Sequence, residues 1–409
     1  MLKKVALSSV FQDVEPEHSS ILDTSLLGAV LALLSMGLIM VSSASMDVSN
    51  STFGNPFWIL TKQVIFIAAG LFMMLVMLTL PVERLHQFSW QSLMFAIALL
   101  VLVLIVGQEI NGSTRWIPLG FFNLQASELG KILVVIYMAS YLTRHLDEVR
   151  TSWSGFFKPL AVFGLVAFLL LLEPDFGSVV VLSVATMGMI FMAGARLHQF
   201  IFMVFLVGVF ITLLVWIEPY RMARLTAYMD PWADAYGSGY QLTQALIAFG
   251  RGGWLGEGLG NSIQKLFYLP EAHTDFVYAV LAEELGMLVA LAVIAGFVFI
   301  SWRSMQVAFR AEAKGLRFHS FLAYGLALLF ASQCLINLGV SSGLLPTKGL
   351  ALPLISYGGS SLIVNCMAFG ILLRIDYERR LAKVVEEPAI AGRKRTRKQT
   401  RRGTGGAYD

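Results

Sequence analysis

The chain has 409 residues, of which 57% are hydrophobic and only 14% are charged, with a formal net charge of +4 at pH 7. Soluble domains usually carry about 45–50% apolar and about 25% charged residues, so this composition excludes an ordinary soluble protein and indicates a membrane protein. The two cysteines, Cys334 and Cys366, both lie in apolar runs, so no disulfide framework or cysteine-based metal site is expected.

The first 23 residues are polar and lack a short apolar core before a cleavage site, which predicts an uncleaved cytoplasmic extension over residues 1–23. From residue 24 onward, ten apolar runs approach the roughly 20 residues that a helix needs to cross a bilayer. We therefore predict an all-α polytopic membrane protein with ten transmembrane helices in one membrane domain, residues 24–382. The predicted helices lie near 24–44, 63–81, 89–107, 127–143, 158–173, 177–194, 199–217, 275–301, 319–340 and 353–373.

Polar groups occur at the outer ends of several predicted helices. Glu128 and Lys131 are three residues apart on the fourth helix, where they either form an intrahelical ion pair or line a polar cavity. In "EPDFGS", Pro174 removes a backbone donor and separates the fifth helix from the sixth. Asp175 is placed to cap the sixth helix.

The longest connection is the predicted outer loop, residues 218–274, between helices 7 and 8. Connections that only join helices are short, so a loop of this length indicates function. Its glycines, as in "GRGGWLGEGLG", permit tight turns and close approach of a ligand. The segment "YQLTQALIAFG" has helical spacing and suits the membrane interface. For Trp232 and Trp254 in this loop, anchoring in the headgroup zone is the simplest interpretation.

The end of this loop, "YLPEAHTDFVYAVLAEELG", places His273, Thr274 and Asp275 directly before the eighth helix. Asp275 could simply cap the helix, but a cap does not explain the polar neighbours. Acidic groups in membrane segments are costly and are functional candidates by default. Further along this helix, Glu283 is predicted to line a cavity below Asp275, and Glu284 to face a separate structural partner.

The segment "ISYGGSS", residues 355–361, is predicted to lie inside the last apolar segment. Its two glycines favour close helix packing. The serines, Ser356, Ser360 and Ser361, could share in that packing or line a path for a substrate.

The tail, residues 383–409, carries the basic block "GRKRTRKQTRR" and is predicted to be disordered. It either binds the anionic inner leaflet or acts only as a topology determinant. Nucleic-acid binding is not expected, because no folded basic domain accompanies the block. With both termini in the cytoplasm, 22 of the 30 Lys and Arg residues lie on the cytoplasmic side, as the positive-inside rule favours.

Several segments together resemble the SEDS family of bacterial membrane proteins, and most of all its cell-division branch. They run in order from the first helix to about residue 382: "NGSTRWIPLGFFNLQASELGK", "EPDFGS", "SGYQLTQALIAFGRGGWLGEGLGNSIQKLFYLPEAHTDF" followed by "EELG", "LPTKGLALPLISYGGSS" and "LLRIDYERRL". The sequence differs from the family pattern at Ala126, where the family often has proline. This difference affects the stiffness of the backbone there. The "HTDF" segment has no departure.

The resemblance implies a peptidoglycan glycosyltransferase of the bacterial inner membrane, at the division septum, that joins lipid II disaccharides through β-1,4 linkages at the outer face. The family's essential aspartate matches Asp275, a carboxylate that can act as general base on the acceptor sugar hydroxyl. Cations must offset the charge on the leaving undecaprenyl pyrophosphate. The predicted substrate-binding residues, with the two lysines ranked first, are Lys131, Lys348, Arg115, Arg221, Arg251, Glu128, His273 and Ser356.

The resemblance also implies partners, namely lipid II, a class B penicillin-binding transpeptidase and other membrane proteins of the divisome. No cofactor is clearly indicated. A divalent cation, Mg²⁺ or Mn²⁺, bridging Asp275 and the pyrophosphate stays open, with no dense carboxylate cluster to mark its ligands.

Two other functions stay open, a lipid II flippase and a non-enzymatic scaffold of the divisome. A transporter should place its polar site near the bilayer midplane, often between internal repeats, and no clear repeat is present. The long loop and Asp275 lie instead on the predicted outer side, which favours a polymerase. A scaffold predicts that Asp275 can be replaced without loss.

Overall fold

A computed structural model describes residues 22–110, 113–118, 120, 122–217 and 219–402 of the chain, with side chains as far as residue 382 in the last helix. The longer helices are α1 (Thr24–Phe53), α2 (Trp58–Thr79), α4 (Ser89–Val106), α5 (Ala126–Arg144), α7 (Trp153–Leu172), α8 (Phe176–Met192), α9 (Leu197–Ile217), α12 (Val277–Ala313), α13 (Arg317–Ser341) and α14 (Gly359–Arg402). The shorter helices are α3 (Val82–Gln87), α6 (Leu146–Thr151), α10 (Pro219–Met229) and α11 (Tyr240–Gly252). Three strands are β1 (Gln108–Ile110), β2 (Ser113–Pro118) and β3 (Asn123–Gln125).

Eight helices are long and apolar enough to cross a membrane: α1, α2, α4, α5, α7, α12, α13 and the Gly359–Ala382 part of α14. Phe176–Met192 and Leu197–Phe210 are apolar but shorter. The chain is therefore a multi-pass membrane protein. A helix overlaps each of the ten predicted segments, and the count of ten spans stays a prediction.

The prediction of an all-α fold is wrong in one place, between α4 and α5. There β1, β2 and β3 form an antiparallel sheet in which Trp116 of β2 pairs with Gln108 on one side and Gln125 on the other. The strand "STRWIP" is rich in β-branched and aromatic residues, which favour a pleated, half-buried surface. The sheet lies between the C-terminal end of α4 and the N-terminal end of α5.

The last membrane helix also begins later than predicted, at Gly359. Pro353 lacks a backbone donor, and Leu354 adopts a left-handed φ of 66°, so the chain cannot be helical there. Residues 346–358 instead form a loop, called here the 346–358 loop. "ISYGGSS" is thus mostly loop, and only its last three residues are helical.

The chain continues as helix to Arg402, and residues 403–409 lie outside the described part. The interpretation of residues 1–23 as a cytoplasmic extension concerns residues that, apart from the last two, also lie outside it. The disorder of residues 383–409 stays a prediction, although the backbone as far as Arg402 continues α14.

Helices α5 and α13 occupy the centre of the bundle. Of their most apolar stretches, 83% and 72% are buried inside the protein, against 28% for α2. Small residues allow this close packing, since a Cβ on Gly325 of α13 would lie 2.4 Å from Val135 of α5 and 2.6 Å from Met189 of α8. Polar side chains on α5 and α13 are therefore enclosed by protein rather than by lipid.

Helix α12 is broken at Gly286, where the backbone has φ 80° and ψ 173°. The glycine-rich stretch after α11 docks into this break. Its amides at Glu257 and Gly258 donate to the carbonyls of Glu283 and Glu284 at 3.0 and 2.9 Å. A Cβ on Gly286 would lie 2.4 Å from the nitrogen of Gly256, so the two backbones approach closely only because both residues are glycine. The outer loop is thereby attached to the helix that follows Asp275.

Ion pairs tie the "RIDYERR" part of α14 to itself and to α13. Asp376 is fully buried and accepts hydrogen bonds from Arg379 and Arg380, each at 2.6 Å. Glu378 accepts from Arg374 at 2.8 Å and lies 2.7 Å from Nε2 of His319. These side chains fix the exit of the last membrane helix.

Candidate functional site

Asp275 lies in the turn that precedes α12 and is half-buried. The helix begins at Val277 and its N-cap is Phe276, so Asp275 comes one position before the N-cap. Its Oδ2 lies only 2.9 Å from where a Cβ on Gly349 would be. The Asp275 carboxylate therefore lies against Gly349 of the 346–358 loop, and a side chain there would displace it.

The same loop carries Lys348 beside Gly349. The Lys348 ammonium lies 4.1 Å from the centroid of the Phe176 ring at the start of α8. A Cβ on Gly177 would lie 2.9 Å from the Leu350 side chain, so the first turn of α8 packs directly on the loop. The structure thus brings together three segments that are far apart in sequence: "HTDF", "PTKGL" and "EPDFGS".

Arg115 of β2 reaches the "EPDFGS" turn from the sheet. It donates to the carbonyl oxygens of Glu173, at 3.4 Å, and of Pro174, and its Nη1 lies 3.9 Å from Oδ1 of Asp175. Asp175 caps α8, as predicted, by accepting from the Ser178 amide at 3.2 Å and hydroxyl at 2.7 Å. Burial opposes ionisation of Asp175, but Arg115 and these hydrogen bonds outweigh it and hold its pKa below the usual range.

Glu173 in this turn is fully buried, and neither carboxylate oxygen has a hydrogen-bond partner among the described residues. Burial, with the charge of Asp175 beside it, raises the pKa of Glu173 to about 8, although Arg115 acts in the opposite direction. At pH 7 the folded protein therefore holds Glu173 mostly protonated.

Of the two interpretations of Glu128 and Lys131, the structure shows the intrahelical pair, with Lys131 Nζ 2.8 Å from Glu128 Oε1. The ammonium also donates to Oε1 of Gln333 on α13 at 3.0 Å. Both charged side chains are buried, and with Asn365 and several apolar residues they line a cavity of only about 20 Å³. This space is the size of a water molecule. A role of the pair in binding substrate stays a prediction.

The two glutamates of "EELG" point to different partners. Glu284 accepts from Lys265 at 2.8 Å and from Ser43 at 2.7 Å, so the prediction of a separate partner is confirmed. Glu283 accepts from the Ser262 hydroxyl at 2.5 Å and lies 3.5 Å from Nε of Arg251. Its carboxylate thus holds the outer loop, and the prediction that it lines a cavity below Asp275 is wrong. Arg251 is engaged in the same contact.

A larger cavity, of about 910 Å³, lies between α1, α2 and residues 259–266. Lys265 borders it, but this ammonium already donates to Ser43, Glu284 and the carbonyl oxygen of Gly260. None of the predicted site residues lines this cavity.

His273 and Ser356 support the backbone around Asp275. The His273 carbonyl accepts from the Tyr357 amide at 3.0 Å, and burial lowers the pKa of the His273 ring, which keeps it neutral at pH 7. Ser356 accepts from the Leu352 amide at 2.8 Å within the 346–358 loop. Ser360 accepts from the Gln125 amide at 3.0 Å and so ties β3 to α14. The side chain of Arg221 lies outside the described part.

Sequence reasoning missed Gln333 and Asn337, two buried carboxamides on successive turns of α13. Asn337 donates to the carbonyl oxygens of Asp275 and Leu350, and Gln333 donates to that of Ala351. A signal was present, because polar residues four apart inside an apolar span indicate an internal polar contact. Gly349 was missed as well, since a single glycine in a loop carries no such signal.

The described residues bring together no group of three or more His, Cys, Asp and Glu side chains. A divalent cation at Asp275 would therefore take most of its ligands from substrate phosphate oxygens and water.

The fold and the site define a polytopic membrane protein in which an aspartate before one membrane helix meets a lysine-bearing loop before another. The chain belongs to the FtsW, RodA and SpoVE family of cell cycle proteins, whose model matches residues 24–381. The resemblance to the SEDS family is thereby confirmed.

Relatives match over most of their length. A protein of Hahella chejuensis named probable peptidoglycan glycosyltransferase FtsW is 56% identical over 360 residues, which cover 87% of this chain and 90% of that protein. A protein of the same name from Pseudomonas fluorescens is 51% identical over 361 residues, covering 88% and 89%.

Solved structures are similar in fold. One is a chain of a peptidoglycan synthase complex that coordinates polymerization and crosslinking. It has a TM-score of 0.73 and 27% sequence identity, and the match covers 88% of this chain and 98% of that chain. The Thermus thermophilus rod shape determining protein RodA has a TM-score of 0.65 and 25% identity, covering 89% and 99%.

Proposed function

We propose that this chain is a peptidoglycan glycosyltransferase of the inner membrane that polymerises glycan strands from lipid II in septal wall synthesis. The activity is that named for relatives 56% and 51% identical over most of the chain. The observation that carries the mechanism is the contact of the Asp275 carboxylate with Gly349, directly beside Lys348. This contact places a candidate base and a candidate phosphate ligand on adjoining segments.

Asp275 acts as the general base. The acceptor sugar hydroxyl attacks the anomeric carbon of the donor and forms the new glycosidic bond, while its proton passes to the Asp275 carboxylate. The bond from the anomeric carbon to the pyrophosphate oxygen breaks, and undecaprenyl pyrophosphate leaves with the electron pair. Half-burial of Asp275 suits this role, because the protein holds the carboxylate in place while leaving part of it accessible to substrate.

Lys348 offsets the charge that develops on the leaving oxygen. Its loop is held by Asn337 and Gln333, so the Lys348 ammonium, which lies over the Phe176 ring, is presented from a fixed backbone. Arg115 and the Glu128–Lys131 pair act around the site: Arg115 anchors the "EPDFGS" turn, and Lys131 fixes Gln333. Arg251 holds the outer loop through Glu283.

The substrate chemistry requires Asp275 at the outer face, with both termini of the chain in the cytoplasm. The basic residues support this orientation, since most of them lie on the predicted inner side. A partner that crosslinks strands, a class B penicillin-binding transpeptidase, is supported by the similarity to a chain of a peptidoglycan synthase complex.

The test is glycan polymerisation from lipid II by the purified protein with its transpeptidase partner. Asp275→Asn keeps the shape and removes the base, so polymer formation should fall by at least about 100-fold. Asp230→Asn, at an exposed aspartate of the outer loop, is the matched control and should polymerise like the parent.

Equal polymer from the parent and Asp275→Asn would overturn the catalytic assignment. Absence of polymer from the parent, with lipid II scrambling in liposomes, would favour a flippase; absence of both would favour a scaffold. Adding and chelating Mg²⁺ or Mn²⁺ in the same assay tests the divalent cation.

A further inference from the structure

We propose that Asn337 is a positioning residue that fixes the Asp275 turn and the Lys348 loop relative to each other. The inference rests on the proposed function, which gives these two segments their chemistry. It concerns a residue outside the motifs that carry the family resemblance, and it arises from two hydrogen bonds made by one carboxamide.

The Asn337 carboxamide donates both of its N–H groups to backbone carbonyls. Nδ2 lies 2.9 Å from the carbonyl oxygen of Asp275 and 2.5 Å from that of Leu350. The two acceptors fix which way the amide faces, because the opposite orientation would set an oxygen against two oxygens. Asn337 is only 1% exposed, so its carboxamide is enclosed by protein and cannot exchange these acceptors for bulk water.

A second carboxamide holds the next residue of the same loop. Gln333, one turn earlier on α13, donates to the Ala351 carbonyl at 3.2 Å and accepts from Lys131 at 3.0 Å. The loop is thus fixed to two turns of one buried helix. Of these two carboxamides, Asn337 alone also holds the Asp275 turn.

The geometry makes the two segments interdependent. Asp275 Oδ2 already lies within 2.9 Å of the Cβ position on Gly349, so a small shift of either segment changes their fit. Without the Asn337 donor, both carbonyls lose this shared hydrogen bond and the two segments are coupled more loosely, with the Tyr357 amide still donating to the His273 carbonyl. A misplacement of about 1 Å can cost about 100-fold in rate. Both of these hydrogen bonds of Asn337 go to backbone carbonyls, so it acts through Asp275 and Lys348.

The test compares Asn337→Leu, which keeps the approximate shape and removes the donor, with Asn337→Gln, which keeps a carboxamide donor. The control is Ser341→Ala, one turn further along α13, a buried residue whose hydroxyl has no partner among the described residues. All are assayed with lipid II and the transpeptidase partner. Asn337→Leu should lower kcat by about 10- to 100-fold with KM within about 2-fold. Asn337→Gln should recover part of kcat, and Ser341→Ala should match the parent.

Hydrogen–deuterium exchange gives a readout that does not need activity. Asn337→Leu should raise exchange in both 271–276 and 346–352 while leaving the outer loop around residues 240–250 unchanged. Equal kcat for Asn337→Leu and Ser341→Ala, or unchanged exchange in either segment, overturns the positioning role. If the parent makes no polymer, the proposed function fails, and the exchange result alone decides whether Asn337 couples the two segments. Exchange raised throughout the protein would mean a general folding role and would also overturn the proposal.

Discussion

Among single residues, the lysines of the 218–274 and 346–358 loops differ in how deeply the protein buries them. Lys265 and Glu284 are almost fully buried and satisfy each other together with Ser43. Lys348, in contrast, is half-buried and stacks on an aromatic ring. Buried pairs hold the loop in place, whereas partly exposed groups can meet a substrate.

Breaking the Lys265–Glu284 pair should destabilise the protein strongly. Lys265→Met leaves Glu284 buried without its cation, which typically costs about 3–5 kcal/mol. Lys158→Met is the matched control, because Lys158 is 57% exposed in its pair with Glu148, where removal costs at most about 1 kcal/mol. Thermal unfolding in detergent measures both. Equal melting temperatures for the two variants would contradict the structural role of Lys265.

Glu173 should make stability depend on pH. Its pKa is raised from 4.5 to about 8 in the folded protein, so the folded state holds the proton more tightly than the unfolded state. Protonated Glu173 therefore contributes to the free energy of unfolding. This contribution is complete below pH 4.5 and is lost as the pH rises through about 8. Glu173→Gln should therefore flatten the decline of the melting temperature between pH 5 and 9, which scanning fluorimetry can measure. A decline as steep as that of the parent would show that Glu173 ionises normally.

Among the structural elements, α12 is the one whose form depends on tertiary contact. Its sequence from "VYAVLAEELG" onward reads as one continuous apolar helix, yet the backbone leaves helical geometry at Gly286. The stretch after α11 supplies hydrogen bonds there, as in Met287 N–H to the Gly253 carbonyl at 2.9 Å. The broken helix is stable because the loop replaces the lost partners.

Gly286→Ala should disturb this docking. The substitution puts a Cβ 2.4 Å from the Gly256 nitrogen at a left-handed φ of 80°, so the loop must move, at a cost above about 1 kcal/mol. Gly164→Ala in α7 is the control, since nothing lies within 4 Å of its Cβ position and helical alanine is favoured over glycine. Melting temperature and protease sensitivity of the outer loop report the difference. A Gly286→Ala protein as stable and protected as Gly164→Ala would contradict the docking role.

At the scale of the whole molecule, the proposed orientation places the segment before α11 outside and the α12–α13 turn inside. The two native cysteines are buried, so they give little background in labelling. Tyr236→Cys, at a position 95% exposed, should react with a membrane-impermeant maleimide in spheroplasts. Ala313→Cys, exposed at the end of α12, should react only after the membrane is permeabilised. The reverse pattern would invert the topology and remove Asp275 from the outer face.

Much of the fold follows from local pattern. Apolar runs of the length of a bilayer place the long helices, because a lipid-exposed backbone must satisfy its own hydrogen bonds. Spacing makes the Glu128–Lys131 pair one of two interpretations, and a residue preference predicts the Asp175 cap. The sheet and the late start of α14 were missed, since short strands and loop entries are weak local signals.

The sequence by itself determined that this is a multi-pass membrane protein, and its motifs singled out Asp275 before α12. Local chemistry suffices there, because hydrophobicity and charge act residue by residue. Only the tertiary structure decided that Asp275 meets Gly349, that Asn337 holds both of their segments, and that Glu283 faces the outer loop. These contacts join residues 13 or more positions apart, and their geometry depends on how buried helices pack around small residues, which no local pattern encodes.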